Sequence, residues 1–170
     1  SFHRFGVEIR DWILGREGFE RLRWFAVTRH PVETIWSSYQ RTMQIAREGK
    51  LKRFERPYRD YLETTLACRD FDEYARTQWI ADNDFNIKRG GFWHTYCCDW
   101  DGTPLPVKML RFDNLAADWK ALVRDWDLPK IELGRVNSSG VALERGMVSE
   151  RIYGEIVEYF WRDWERFGDG

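Results

Sequence analysis

The sequence has little cysteine, no long apolar run and almost no excess of one charge, and each shortage excludes a class of protein. Its three cysteines, Cys68, Cys97 and Cys98, are odd in number and irregularly spaced, so they do not form a disulfide framework. No apolar stretch approaches the roughly 20 residues that a membrane-spanning helix needs. The 27 basic and 28 acidic side chains nearly cancel, which argues against a nucleic-acid partner. Any anion site must therefore be local.

Aromatic residues, in contrast, are abundant. Ten tryptophans stand among 28 aromatic residues, and such large rings pack helices against a sheet or line a cleft. A chain of 170 residues is long enough to bury one sizeable core. We therefore expect a single domain over residues 1–170.

Several motifs of common enzymes are missing. The sequence has no Gly-x-Ser-x-Gly elbow, no His-Glu-x-x-His helix and no dinucleotide-binding fingerprint, so hydrolase, metalloprotease and NAD-dependent functions have no support. His94, Cys97 and Cys98 are close in sequence, but a structural zinc site takes four ligands, usually from two spaced pairs. We expect core cysteines and no metal.

The stretch from Trp24 to Arg41 carries the strongest functional signal. A short apolar run ends at Arg29, a helix is predicted to begin at Pro31, and Ser37 and Ser38 follow two turns later. An arginine fork, the N–H groups of a helix N-terminus and a hydroxyl together form a suitable anion pocket. The alternative is a buried strand that enters an amphipathic helix, with an incidental arginine.

The remaining pattern predicts an α/β protein. The run 24–27 has the form of a strand buried on both faces of a parallel sheet, and a second strand is expected over 107–112. Helices are predicted over 7–14, 31–47, 58–68, 71–80, after Asp113 and over 149–167, with Asp70 and Asp113 as N-caps. Ligands of such sheets bind at the carboxyl ends of the strands, where Arg29 lies.

In this order the elements resemble those of the sulfotransferases, most closely the group of carbohydrate sulfotransferases and their bacterial relatives. The family binds the 3′-phosphate of its donor, 3′-phosphoadenosine 5′-phosphosulfate, with an Arg-x-Pro run, a serine eight residues after the arginine, and then a tyrosine. Arg29, Pro31, Ser37 and Tyr39 stand at those positions.

Weaker similarities follow in the same order along the chain. They are the Asp101-Gly102 turn, the strand and helix start over 107–115, the segment Val136-Asn137-Ser138-Ser139, and the stretch from Tyr159 to Gly168 with Asp163, Phe167 and Gly168. Asp113 departs from the family, which usually has glutamate there.

The resemblance implies a fold, a reaction and a cofactor. The fold would be a P-loop-NTPase-like parallel sheet flanked by helices, with a largely helical C-terminal part. The reaction would move a sulfuryl group from the donor to a hydroxyl of a carbohydrate or small-molecule acceptor and leave adenosine 3′,5′-bisphosphate, without a metal. Arg29 and Ser37 would bind the 3′-phosphate.

The resemblance also suggests a catalytic base. In this group a histidine often precedes a short helix that ends in glycine, as His3 precedes Gly15 here. Histidine accepts a proton near neutral pH, which would activate an alcohol for attack. His3 is equally explained as a surface histidine near the start of the chain. His30 is a second candidate, for which we favour a role as a helix cap.

One part of the family's pattern is missing. Sulfotransferases bind the 5′-phosphosulfate with an N-terminal strand, loop and helix, and nothing before Arg29 has that form, nor does Gly90-Gly91 replace it. We expect a fragment whose missing N-terminus supplies the loop. The alternative is a non-catalytic nucleotide-binding or protein-interaction module. The cysteines favour the cytoplasm, or the Golgi lumen if the chain belongs to an anchored enzyme.

Overall fold

The computed structural model describes residues 6–81, 90–134, 143–144 and 146–167. These residues form two compact units. The first comprises residues 6–30, 90–134 and 160–167, and the second comprises residues 31–81, 143–144 and 146–159. The described chain is mixed α/β and mostly helical, with one small parallel sheet.

The first unit contains the sheet and several short helices. Its strands are Trp24–Thr28 (β1) and Val107–Arg111 (β2). Its helices are Gly6–Glu8 (α1), the π-helix Ile9–Leu14, Gly15–Glu20 (α2), Phe92–Cys97 (α6), Leu115–Asp125 (α7) and Trp161–Phe167 (α9).

The two strands are parallel, as the sequence predicts for an α/β protein. The register pairs Trp24 with Val107 and Thr28 with Arg111. The ladder continues one residue further, because the N–H of Phe112 donates to the carbonyl oxygen of Thr28 at 2.7 Å. Both carboxyl ends therefore lie at the same edge of the sheet. The mixed α/β class with a parallel sheet is confirmed, and the P-loop-like fold stays a prediction.

The prediction that the run 24–27 is buried on both faces is wrong. Phe25 is 45% exposed and Val27 is 47% exposed, whereas Leu110, the register partner of Val27, is 1% exposed. Phe25 makes edge-on ring contacts with Trp119 of α7 and with Trp126 just beyond it. Among the described residues this face is thus covered over β2 and only partly over β1.

The predicted end of the first helical segment is confirmed. The sequence predicts a helix over 7–14 that ends at Gly15, and helical structure runs from Gly6 to Leu14, with residues 9–14 in a π-helix and Gly15 as the C-cap. Gly15 has a φ of +70°, a value that suits glycine, and it separates this segment from α2, which the sequence does not predict.

Asp113 is not the N-cap of α7. The residue before that helix is Asn114, and its side chain makes no capping hydrogen bond. The carboxylate of Asp113 instead accepts two hydrogen bonds from Arg111, at 3.1 and 2.6 Å. Asp118 stabilises the turn, because it accepts from the backbone N–H of Arg111 and from Asn114 Nδ2.

The second unit is helical in the part that the structure describes. Its elements are Pro31–Arg47 (α3), the 3₁₀ turn Leu51–Arg53, Arg56–Ala67 (α4), Phe71–Ala75 (α5), the π-helix Arg76–Ala81 and Glu150–Tyr159 (α8). The predicted helix 31–47 is confirmed. Asp70 is the predicted N-cap of α5 and accepts from the N–H of Glu73 at 2.9 Å.

The core of the second unit lies between α3 and its neighbouring helices. Ile35, Leu62, Tyr74 and Ile156 are fully buried. Apolar residues at helical spacing thus account for the packing of these helices. In addition, Arg76 holds α8 by two hydrogen bonds to Glu155, at 3.0 and 2.6 Å.

The long C-terminal helix that the sequence predicts is two helices. α8 ends at Tyr159, Phe160 forms a turn, and α9 begins at Trp161. Phe160 is fully buried and its ring stacks on Phe92, with 5.1 Å between ring centroids. The apolar period continues through Phe160, so the sequence pattern gives no sign of this break.

Three predictions fall outside the described residues: those for His3, for 136–139 and for Gly168. Within the described part of the chain, no helix is long and apolar enough to cross a membrane.

Candidate functional site

Arg29 follows the last residue of β1 and lies at the carboxyl edge of the sheet. Its guanidinium stacks over the ring of Phe112, with 4.6 Å between Cζ and the ring centroid. The hydrogen bond from Phe112 to Thr28 explains this contact, because it places Phe112 beside the end of β1. Such a contact between a cation and an aromatic ring restricts the position of the guanidinium.

A second guanidinium stands at the same edge. Arg111 is the register partner of Thr28, and its fork is paired with Asp113. The hydrogen bonds from Arg111 lower the pKa of the Asp113 carboxyl. Side chains alternate between faces along a strand, so Arg111 projects from the opposite face to Arg29 and Phe112.

His30 packs against α9. Its ring meets the ring of Trp164 edge-on, with 4.9 Å between centroids. This contact joins the turn after β1 to a helix that is more than 130 residues away in the sequence. The position of the Arg29-His30 turn therefore depends on how α9 is held.

Asp163 holds α9. Its carboxylate is 1% exposed and accepts hydrogen bonds from the backbone N–H groups of Phe92 and Trp93, at 2.7 and 2.8 Å, at the start of α6. Gly91 has a φ of +111°, and a Cβ there would overlap the carboxylate. Burial raises the pKa of Asp163 to about 6, although the two N–H groups lower it.

Sequence reasoning gave Asp163 no role beyond its place in the family's C-terminal stretch. A signal was present, because Asp163 lies among apolar residues at helical spacing and Gly90-Gly91 marks a backbone that needs positive φ. Only the structure shows that these two features meet.

Another ionic cluster stabilises the N-terminal part of the first unit. Arg10 is buried between two carboxylates, with Nε 2.5 Å from Asp11 and Nη1 2.5 Å from Asp99. Hydrogen bonds from Arg10 and from the backbone of Trp100 lower the pKa of Asp99 to about 2. Trp100 Nε1 also donates to Asp11. This cluster fixes the π-helix to the turn after α6.

Ser37 and Ser38 lie on α3, in the second unit. Ser37 is half-buried. Ser38 Oγ is 3.3 Å from the hydroxyl of Tyr61, which is 2.8 Å from the hydroxyl of Tyr74. Burial raises the pKa of Tyr74 well above its ordinary value, so the Tyr74 hydroxyl is neutral. Ser38 thus has a structural partner, and joint phosphate binding by Arg29 and Ser37 stays a prediction.

The cysteines do not form a metal centre in the described residues. Cys97 and Cys98 are buried, and His94 Nδ1 lies 2.7 Å from Arg162 Nη1. In the same part of the chain, no group of three or more histidine, cysteine, aspartate or glutamate side chains is placed to hold a metal ion.

The chain was compared with protein-family models, curated proteins and solved structures. No family model, no curated protein and no solved structure matches the chain.

Proposed function

We propose that the chain is a sulfotransferase domain that uses 3′-phosphoadenosine 5′-phosphosulfate. The observation that carries this proposal is the position of Arg29 at the carboxyl edge of a parallel strand, with its guanidinium stacked on Phe112. Ligands of α/β sheets bind at this edge. The planar fork of an arginine suits the bidentate geometry of a phosphate better than a lysine does.

The element that follows Arg29 supports the same proposal. α3 begins at Pro31, two residues later, and extends to Arg47. The first N–H groups of a helix have no partner within the helix and attract anions. Ser37 would add a hydroxyl, as the resemblance implies.

The reaction would transfer the sulfuryl group to a hydroxyl of a carbohydrate or small-molecule acceptor. A bond forms between the acceptor oxygen and sulfur, the bond from sulfur to the bridging phosphate oxygen breaks, and adenosine 3′,5′-bisphosphate leaves. The acceptor's proton passes to a base, for which His3 is the candidate from the sequence. Positioning and stabilisation of charge on the leaving oxygen would supply most of the rate enhancement.

The second candidate is a non-catalytic nucleotide-binding or protein-interaction module that retains the sulfotransferase fold. A module that binds the nucleotide through its 3′-phosphate without transferring the sulfuryl group needs only the Arg29 side of the site.

Calorimetric titration with adenosine 3′,5′-bisphosphate tests both functions. Arg29→Ala should weaken binding by about 1.5 to 3 kcal/mol, the range for a hydrogen bond to a charged group. Arg124→Ala is the matched control, because Arg124 is an exposed arginine of the same unit, paired with Asp125. Equal affinity of the wild type and Arg29→Ala would remove Arg29 from the site.

Turnover separates the enzyme from the binding module. Incubation with the sulfated donor and a panel of neutral sugars and alcohols should release adenosine 3′,5′-bisphosphate only when an acceptor is present. Binding without any release supports the module.

A further inference from the structure

The contact between α6 and α9 is built around one carboxylate. The two backbone hydrogen bonds to Asp163, the glycine that leaves room for it and the stack of Phe92 on Phe160 all lie at the same junction. The next residue, Trp164, contacts His30. Asp163 and Trp164 are neighbours on α9, which is a short helix. A shift of α9 at Asp163 would therefore also move Trp164 and its contact with His30.

The junction has few other charges. The other charged or titratable side chains that the structure describes on α6 and α9 are His94, Tyr96, Cys97, Arg162 and Glu165, and His30 faces α9 at Trp164. Arg162 pairs with His94, and its methylene groups lie closest to the position where a Cβ of Gly90 would stand. Burial and the two N–H groups, rather than these charges, determine the pKa of Asp163.

The direction of the pH effect follows from the two states of the junction. If the junction opened, Asp163 would enter water, where its ordinary pKa is 3.8, whereas burial in the closed junction raises the pKa to about 6. Proton uptake therefore favours the closed state. Between pH 5 and pH 7.5 the ratio of closed to open molecules should fall about tenfold, because the ionised carboxylate is better solvated outside.

We propose that Asp163 is a positioning residue that clamps α9 onto α6, that it holds the His30-Arg29 turn in place through Trp164, and that the clamp tightens when Asp163 takes up a proton. The clamp itself needs only the contacts above. Its effect on anion binding at Arg29 rests on the proposed function.

Hydrogen exchange of the Phe92 and Trp93 amides, measured by NMR from pH 5 to pH 7.5 and corrected for intrinsic exchange, tests the clamp. Their protection should fall about tenfold across this range in the wild type. Asp163→Asn, which cannot ionise, should show no such trend, and His94→Gln should keep it. A flat wild-type profile overturns the proton-dependent tightening of the clamp, as does a wild-type trend in Asp163→Asn. If Asp163→Asn does not fold, the wild-type and His94→Gln profiles test the proposal. A tenfold fall of protection in both supports it, and a flat wild-type profile contradicts it.

Calorimetry with adenosine 3′,5′-bisphosphate at pH 5.5 and pH 7.5 tests the link to Arg29. Protonation of the nucleotide is the same for both proteins, so the ratio of wild-type to Asp163→Asn affinity isolates the clamp. This ratio should be higher at pH 5.5. An equal ratio at both pH values overturns the link. If neither protein binds the nucleotide, the proposed function fails, and the exchange experiment still decides the clamp.

Discussion

The two units are stabilised in different ways. In the first unit, several side chains are held by partners far away in the sequence: Arg10 by Asp99, Asp163 by the start of α6, and His30 by Trp164. In the second unit, helices with one apolar face pack together and the cap of α5 is local, and the pair Arg76–Glu155 adds one distant polar contact. Local structure can be read from sequence patterns, whereas distant polar pairs arise only when the chain folds.

The largest difference between the two units should appear in the free energy of unfolding when a glycine of each is replaced by alanine. Gly91→Ala should destabilise the protein by about 3 kcal/mol, because it combines a positive φ with a collision against Asp163. Gly154→Ala, within α8 where the space is open, should stabilise the protein by about 1 kcal/mol through helix propensity. Urea unfolding at pH 7 measures both, and a neutral Gly91→Ala would contradict the tight junction.

The two aspartates that the sequence predicts as caps should differ. Asp70→Ala should lower the free energy of unfolding by about 1 kcal/mol, because it removes a real N-cap. Asp113→Ala should cause no measurable change, because it removes only a surface ion pair with Arg111. Thermal unfolding of the two variants side by side would reveal the difference, and equal losses would mean that Asp113 has a structural role after all.

The adjacent serines of α3 should show the smallest and most specific effects. Ser38→Ala should reduce stability by about 0.5 kcal/mol, because it removes the contact with Tyr61, and should leave nucleotide affinity unchanged. Ser37→Ala should weaken nucleotide binding by about 1 kcal/mol and leave stability unchanged. Calorimetry measures the nucleotide affinity of both variants, and urea unfolding measures their stability. Each variant should change only one of these two quantities. The reverse assignment would show that Ser38 is the phosphate ligand.

The sequence predicts α3, the cap at Asp70 and the parallel pair of strands correctly because each depends on neighbours or on a short apolar run. The prediction fails at Asp113, because its carboxylate pairs with the nearby Arg111 and does not cap α7. It also fails at Phe160, where the helix is interrupted although the apolar stripe continues.

The candidate site also has one part that local sequence predicts and another part that depends on distant contacts. The position of Arg29 at the end of a strand is predictable, because the apolar run ends there. Its partner Phe112 and the support from Trp164 through His30 are not, because they require the register of β1 with β2 and the docking of α9.

The half-exposed face of β1 has a consequence for work with the purified protein. Phe25 and Val27 present apolar surface to water, and no charged residue or proline interrupts the run from Trp24 to Thr28. Exposed apolar side chains of this kind favour contact between protein molecules. Self-association should therefore increase with protein concentration, and light scattering across a dilution series should accompany every titration of this chain.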